Sequence, residues 1–347
     1  MEPQQPRTTI HDVAHAAGVS ISTVSRVLSG RDDIQMRAET RERVLQAIEE
    51  LGYRPSRSAQ RMRRQRCDII GVLVPDVSNP YFSLLARGVE SIAFERGYST
   101  LICDSNHSED RESRYLDLLS AEQVDGIVFV PVGVPDGSRI RRLRGQGVRI
   151  VVADRCVDGL LGVEAANWQG SRNLTRHVLA LGHRHIAYIG GPPDVRTTQE
   201  RVRGFLDAMS EAGIEPVEVE YGEYTYESGV EIAGKLLAGA SIDVIMAGDD
   251  LVALGAMRAA ESKGLRVPRD LGVTGFDAVP LLSLIEPTLT SVRIPVFDIG
   301  RESMTMLIEH IGTSGGEGTR RMLDVEIVSG ASCVASERSA AAGAPPA

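Results

Sequence analysis

Residues 9–28 read TIHDVAHAAGVSISTVSRVL, and this stretch decides the fold of the first part of the chain. Thr9 stands three residues before Asp12, the spacing at which a hydroxyl and a carboxylate cap a helical first turn. Ile10, Val13, Ala14 and Ala17 then recur at the helical period. Gly18 ends that helix, because glycine takes a positive φ at little steric cost; Val19 turns the chain and Ser20 caps a second helix. In the second helix Val24, Val27 and Leu28 form the apolar stripe, which leaves Ile21, Ser22, Ser25 and Arg26 on other faces. A third helix is predicted over 39–51, with Val44, Leu45, Ile48 and Leu51 turned inward to close a three-helix core. Two helices joined by so short a turn have the helix-turn-helix layout. A helix of this kind fits the major groove and reads it with side chains at its start. Arg26 suits guanine O6 and N7, Ser22 suits several bases, and Ile21 suits a thymine methyl. The alternative is three short helices that only pack together.

Charge extends the same reading. The chain sums to a net charge of -9, but residues 1–66 carry twelve arginines against eight carboxylates, a net +4, and the remainder carries -13. Arg54, Arg57, Arg61, Arg63, Arg64 and Arg66 fall within thirteen residues that hold no carboxylate, a density suited to a phosphate backbone or, alternatively, to a solvated basic linker. Within 56–64, Ala59 and Met62 stand at helical spacing in a segment too short to be a stable helix in water. Such a segment is expected to order on DNA, with Ala59 and Met62 laid into the minor groove as apolar wedges.

From Cys67 onward, strand-like runs (69–74, 100–103, 127–130, 150–153) alternate with helical patterns (81–96, 109–122), and a second series repeats the scheme. That series has strands at 186–190, 244–247 and 272–276 and helices at 167–181, 200–212 and 251–263. Alternation of this kind makes parallel sheets with helices on both faces, here two doubly wound lobes. Ligands of such folds sit at the carboxyl ends of the strands, and those ends carry Asp154, Asp249 with Asp250, and Asp277. Asp154 and Asp277 also suit helix N-caps.

His11-Asp12-Val13-Ala14, Ala17-Gly18-Val19-Ser20, Ser22-Thr23-Val24-Ser25-Arg26-Val27-Leu28 and Leu51-Gly52-Tyr53-Arg54-Pro55 resemble the lactose-repressor/galactose-repressor (LacI/GalR) family of transcription regulators. The resemblance continues through Val74-Pro75-Asp76-Val77-Ser78-Asn79-Pro80-Tyr81-Phe82, Arg201-Val202-Arg203-Gly204-Phe205 and Gly275-Phe276-Asp277, and it spans residues 9–337. It implies a helix-turn-helix domain with a hinge helix, followed by a two-lobed core similar to periplasmic binding proteins. By position, Ile21, Ser22 and Arg26 would face bases, Ser20, Thr23, Ser25 and Ser29 would face phosphates, and Met62 would take the intercalating hinge position. In the core, Arg201 would clamp an effector, Asp154, Asp249 and Asp277 would accept its hydroxyl or amine protons, and Tyr81, Phe82 and Tyr224 would pack on a ring. Surface exposure is the other reading for Arg201, and core packing for Tyr81 and Phe82. Met62 departs from the family's usual leucine, Gln60 stands where arginine is common, Ile294 where glutamine is common and Ala166 where aspartate is frequent.

The expected organisation is a flexible N-terminus (1–8), the DNA-binding domain (9–55), the hinge (56–66), a first lobe (67–162 plus 293–325), a second lobe (163–292 plus 326–337) and a disordered tail (338–347). The expected function is a sequence-specific regulator, in the sense of a repressor, that binds a palindromic double-stranded DNA operator as a homodimer. A sugar or related polar metabolite in the cleft would control it, with a protein corepressor or a non-sugar ligand as the alternative.

Rival classes lack their motifs. No GxGxxG follows a first strand and no GxxxxGK[ST] occurs, which argues against a dehydrogenase or kinase. His183 and His185 have no cysteine near them, and the four cysteines include no CxxC, so no catalytic residue, metal or cofactor is expected. The first seven residues are polar and no run of 18 apolar residues occurs, so a secreted transport protein and a membrane protein are both disfavoured. The expected location is the cytoplasm, with the nucleoid when DNA is bound.

Overall fold

The computed structural model describes residues 8–29, 36–53, 67–133, 137–311 and 318–336. It divides into two compact units, Met1–Cys67 and Asp68–Ala347. The expected hinge with Arg57, Ala59, Met62 and Arg63, the 1–7 segment and the tail lie outside the described residues.

The first unit holds α1 (Ile10–Ala17), α2 (Ile21–Ser29) and α3 (Ala38–Glu50). The Thr9 backbone N–H and hydroxyl both donate to Asp12, at 2.7 and 2.8 Å. These bonds hold the Asp12 carboxyl below the usual carboxylate range. Gly18 ends α1 in the left-handed region at φ 63°, and the Val19 N–H donates back to the Ala14 carbonyl at 3.0 Å, which satisfies one of the helix's last acceptors. Ser20 Oγ then accepts from the Thr23 N–H at 3.2 Å and caps α2. Val13, Ala14, Ala17, Val24, Val44 and Ala47 form the buried core, with Ile10, Val27, Leu28 and Ile48 packed around it. Leu45 and Leu51 depart from the inward placement expected of them: they are 50% and 37% exposed. The buried stripe of α3 centres on Val44, Ala47 and Ile48, and Leu45 lies one step, about 100°, off it. Leu51 is the C-cap residue, past the last helical turn.

The second unit alternates strands and helices. A six-stranded parallel sheet takes β1 (Ile69–Val74), β2 (Ser99–Asp104), β3 (Gly126–Phe129), β4 (Ile150–Ala153), β5 (Leu161–Ala165) and, from late in the chain, β11 (Arg320–Leu323), in the order β11-β5-β4-β3-β1-β2. Its connections are α4 (Pro80–Glu95), α5 (Glu109–Ala121) and α6 (Gly137–Gly145). The chain then crosses to a four-stranded parallel sheet of β6 (Ile186–Gly190), β7 (Glu218–Tyr221), β8 (Val244–Ala247) and β9 (Gly272–Thr274), ordered β7-β6-β8-β9. Here α7 (Asn167–Ala180), α8 (Arg196–Glu211), α9 (Tyr226–Gly239) and α10 (Asp250–Ser262) make the connections. After β10 (Ser291–Arg293) the chain returns to the first lobe as α11 (Val296–His310) and β11 (Arg320–Leu323), then pairs β12 (Glu326–Val328) antiparallel with β10. Three crossings therefore join the lobes, at 166, at 294–295 and at 324–325. The first sheet keeps the chain as far as Ala165, past the crossing expected at 162. The inner strands β1, β3, β4, β5, β6 and β8 are buried on both faces, as parallel sheets covered by helices require, whereas the edge strands β2, β7 and β11 are partly or largely exposed. Among the described residues no helix is long and apolar enough to cross a membrane.

Helices α4 and α11 lie against each other so closely that a Cβ on Gly88 would sit 2.1 Å from the Phe297 carbonyl oxygen. Gly88→Ala should therefore force the helices apart and cost about 1–3 kcal/mol in urea denaturation. Gly234→Ala in α9, where a Cβ meets nothing within 4 Å, should instead gain about 0.5–1 kcal/mol. Equal effects of the two substitutions would refute close backbone contact as the reason for the first glycine.

Candidate functional site

Every strand of a parallel sheet ends on the same side, so the loops that leave those ends gather in one place. In the first lobe, Asn79 and Tyr81 follow β1, His107 follows β2, and Asp154 and Arg155 follow β4. In the second lobe, Tyr224 follows β7, Asp249 follows β8, Asp277 follows β9, and Thr197 and Arg201 come from the first turns of α8. These residues and Phe82 line one cavity of about 30 Å³ between the lobes, room for about one water molecule. All seven residues expected to meet an effector are brought together there: Tyr81, Phe82, Asp154, Arg201, Tyr224, Asp249 and Asp277. Asn79, His107, Arg155 and Thr197 join them without having been singled out, although the strand-end rule that pointed to Asp154 applies equally to three of them.

Arg201 is 4% exposed, so it is no surface residue. Its Nε donates to Asn167 Oδ1 at 2.9 Å, its Nη1 to the Gly248 carbonyl at 2.6 Å, and its Nη2 faces Asp277 Oδ1 at 3.1 Å. The guanidinium lies 4.1 Å above the Phe276 ring, a cation–π contact. Burial works against this cation, but the Asp277 carboxylate and the neighbouring Tyr224 and Asp154 oxygens more than offset it, and Arg201 stays charged. On the facing lobe Tyr81 donates its hydroxyl to Asp154 Oδ1 at 2.5 Å. Burial, followed by the Asp154 charge, pushes the Tyr81 phenol far up, so it remains a donor. Arg155 is buried against the Pro131 and Val132 carbonyls, both 2.7 Å from Nη1, while its Nε has no hydrogen-bond partner. Tyr224 is held by Thr198, whose hydroxyl lies 2.8 Å from the phenol oxygen.

The carboxylates differ in their duties. Asp249 caps α10 by accepting from the Val252 N–H at 2.8 Å. Asp154 and Asp277 cap no helix: they sit in the left-handed region at φ 64° and 111°, with their N–H groups bonded to the Val163 and Val292 carbonyls at 2.8 Å. Burial pushes the Asp277 carboxyl well up, and Asp250, Asp249 and Asp154 add to the shift while Arg201 opposes it. Behind the cavity Asp250 accepts from Ser291 Oγ at 2.7 Å and from the Val279 N–H at 2.9 Å. Ala166 leaves α7 without a side-chain cap at one lobe crossing, and Ile294 is buried at another. The set of planar guanidinium donors, fixed carboxylate acceptors and aromatic walls matches a polyhydroxylated ring. Among the described residues no group of three or more His, Cys, Asp or Glu is placed to hold a metal ion.

In the first unit, Ser20, Ile21, Ser22 and Arg26 are exposed along the start of α2, Ile21 to 40%, while Thr23 and Ser25 are half-buried. The side chain of Ser29 lies outside the described residues.

Comparison with known proteins gives a consistent result. Residues 9–56 match the family model described as bacterial regulatory proteins, lacI family, and residues 67–326 match that of periplasmic binding proteins and the sugar binding domain of the LacI family. The chain is 37% identical over 305 residues to the ribose operon repressor of Halalkalibacterium halodurans, covering 88% of this chain and 90% of that one. The lac repressor dimer bound to operator and the anti-inducer ONPF superposes with a TM-score of 0.85 at 27% identity, over 95% of this chain and all of the other. A complex of the transcriptional regulator CelR with cellobiose gives 0.71 at 32% identity, over 94% of this chain and all of the other.

Burial pushes Asp249 up to about 6 and Asp250 up to about 8, the latter also through the charge of Asp249. An ordinary aspartate loses its proton near pH ~4, so these two carboxyls hold more protons in the folded protein than in the unfolded one across the window from about pH 4 to 8. The two groups therefore contribute a loss of stability as pH rises through that window. Melting temperatures taken from about pH 5 to 8 at fixed ionic strength should drop, and Asp250→Asn should flatten the slope. An unchanged slope in the variant would show that Asp250 is not the group being titrated.

Proposed function

The chain belongs to the lacI family of bacterial regulatory proteins, and from that premise we propose how it works: its first unit binds a palindromic operator as part of a homodimer, and a sugar or closely related polyol in the cleft of the second unit changes that binding. The protein is a DNA-binding allosteric regulator, not an enzyme, and the sense proposed for it is repression in the cytoplasm, at the nucleoid when DNA is bound. The observation that carries the effector reading is the pairing across the cavity of Tyr81 and Asp154 from one lobe with Arg201 and Asp277 from the other. A ligand that bonds both sets ties the lobes in one relative position, and linkage then makes effector and operator alter each other's affinity by one coupling free energy.

Within the first unit, Ile21, Ser22 and Arg26 read base edges, and Ser20, Thr23, Ser25 and Ser29 hold phosphates. Their places on α2 support these roles. Arg57 and Arg63 add phosphate contacts, and Ala59 and Met62 enter the minor groove at the operator centre. The second copy meets the first lobe where apolar side chains stand exposed: Phe94 at 77%, Leu101 at 43%, Ile102 at 49% and Leu118 at 48%, on the edge strand β2 and on the helices before and after it. The organisation proposed is the one expected above, with the first lobe extended to Ala165.

Calorimetric titration of the full chain with D-ribose and with cellobiose tests the effector class. One of them should bind, and Arg201→Ala should weaken that binding by at least about 100-fold, since it removes a charge-assisted donor set and strands Asp277. Binding of neither sugar counts against the sugar reading. For DNA, Arg26→Ala should cost about 1–3 kcal/mol and relax selection at one base per half-site in a random-sequence selection. Uniform weakening on every sequence would make Arg26 a phosphate contact.

A further inference from the structure

Along the same cleft lies a second and larger hollow of about 550 Å³, walled by Cys156 and Asp158 from the first lobe and by Asp194, Arg196 and Glu200 from the second. Arg155 borders both spaces. The charges here do not suit an anion, because carboxylates accompany the guanidiniums throughout. They do form a bridge. Arg196, the first residue of α8, donates from Nε to Glu200 Oε1 at 2.8 Å and reaches across the cleft with Nη1 to Asp158 Oδ1 at 3.4 Å. Arg320, on β11, donates to the same Asp158 carboxylate and stands 4.0 Å from Glu164 Oε1.

Glu164 is the unusual member. It sits on β5 at 3% exposure, and its Oε2 has no hydrogen-bond partner. The guanidinium 3.9 Å from that oxygen is Arg196, which belongs to the other lobe. A buried carboxylate oxygen without a donor is costly, and a shift of about 1 Å brings Arg196 within hydrogen-bond reach. Two carboxylates of one lobe thus face one cation of the other, and a planar fork with several donors can serve both at once where an ammonium cannot.

We propose that Arg196 is a positioning residue that latches the second lobe to Glu164 and Asp158 of the first and so sets the spacing at which the cleft meets its effector. The role in effector response rests on the sugar reading above; the latch itself does not. The test is hydrogen exchange on the full chain without ligand, read at the amides of β5 and of the first turn of α8. Arg196→Ala and the isosteric Glu164→Gln should each speed exchange there by about threefold to tenfold, and the two together no more than the stronger alone, because both remove one contact. Arg196→Lys should recover only part of the protection. Glu200→Gln, which alters a pairing within α8, should leave β5 unchanged. The central strands β3 and β8 should keep their protection, which separates a lost latch from a general loss of stability. Unchanged exchange at β5, additive effects, or equal deprotection of β3 and β8 would overturn the proposal. A parallel titration with D-ribose and cellobiose should show Arg196→Ala raising Kd by about fivefold or more for the sugar that binds the parent protein; an unchanged Kd would remove the latch from the effector response. Failure of both sugars to bind the parent speaks against the sugar reading and leaves the exchange data to decide the latch.

Discussion

A guanidinium buried beside a carboxylate, Arg201 against Asp277 at 3.1 Å, is the constraint on which the second unit depends. Charges at that depth persist only if nearly every donor finds an acceptor. Arg201 donates to Asn167 from α7 and to the carbonyl of Gly248 after β8, and its charge is balanced by Asp277 after β9, so one side chain ties three loops of the second lobe. Asn167 in turn donates to the Ala165 carbonyl at the end of β5, at 3.2 Å. A hydrogen-bonded path therefore runs from the cavity to the strand end where the chain leaves the first lobe. Arg201 thus stands two hydrogen bonds from that crossing, a physical route by which a change at the cavity reaches the relation between the lobes.

The two lobes solve the same local problem in the same way. Asp154 follows β4 and Asp277 follows β9, each is buried, and each holds a positive φ that a side chain other than glycine adopts at a cost. Both backbones are pinned by an N–H bonded to a neighbouring strand's carbonyl, from Val163 in one case and Val292 in the other. Both carboxylates line the cavity between the lobes. Strain held by ladder bonds on either side of one cavity is an observation about the site, not about packing, since neither carboxylate caps a helix.

Periodicity made much of this legible. The capping pair Thr9 and Asp12, the stop at Gly18 and the apolar runs at 69–74 and 186–190 come straight from residue spacing, and the strand-end rule found Asp154, Asp249 and Asp277. What escaped notice carries weak local signals. Helix α6 buries only Ile140 and Leu143 among four arginines, and β7 is an edge strand that reads Glu-Val-Glu-Tyr, with its burial supplied by β6 alone. Arg155 looked like any charged loop residue, because nothing in the order of residues shows that the Pro131 and Val132 carbonyls will accept from it. Glu164 is hidden for the same reason: its burial comes from β11, a strand contributed more than 150 residues later. Leu45 errs the other way, since an apolar residue next to a stripe looks like part of it until the width of the contact is known.

The separation of charge along the chain gives the two units different relations to DNA. A first part at net +4 concentrates its arginines where phosphates are to be met, and the rest of the chain, at -13, repels the same phosphates. Nonspecific attraction is thereby confined to the part that reads sequence, so the sensor adds little to binding beyond what its lobes dictate. The arrangement also makes the coupling economical. Because the second unit has no stable electrostatic hold of its own on the duplex, a small change in lobe spacing reaches DNA only through the segment that joins the units. That segment carries six arginines without a carboxylate. Its positive charge is met by phosphates only when DNA is present, which joins the segment's electrostatics to operator occupancy.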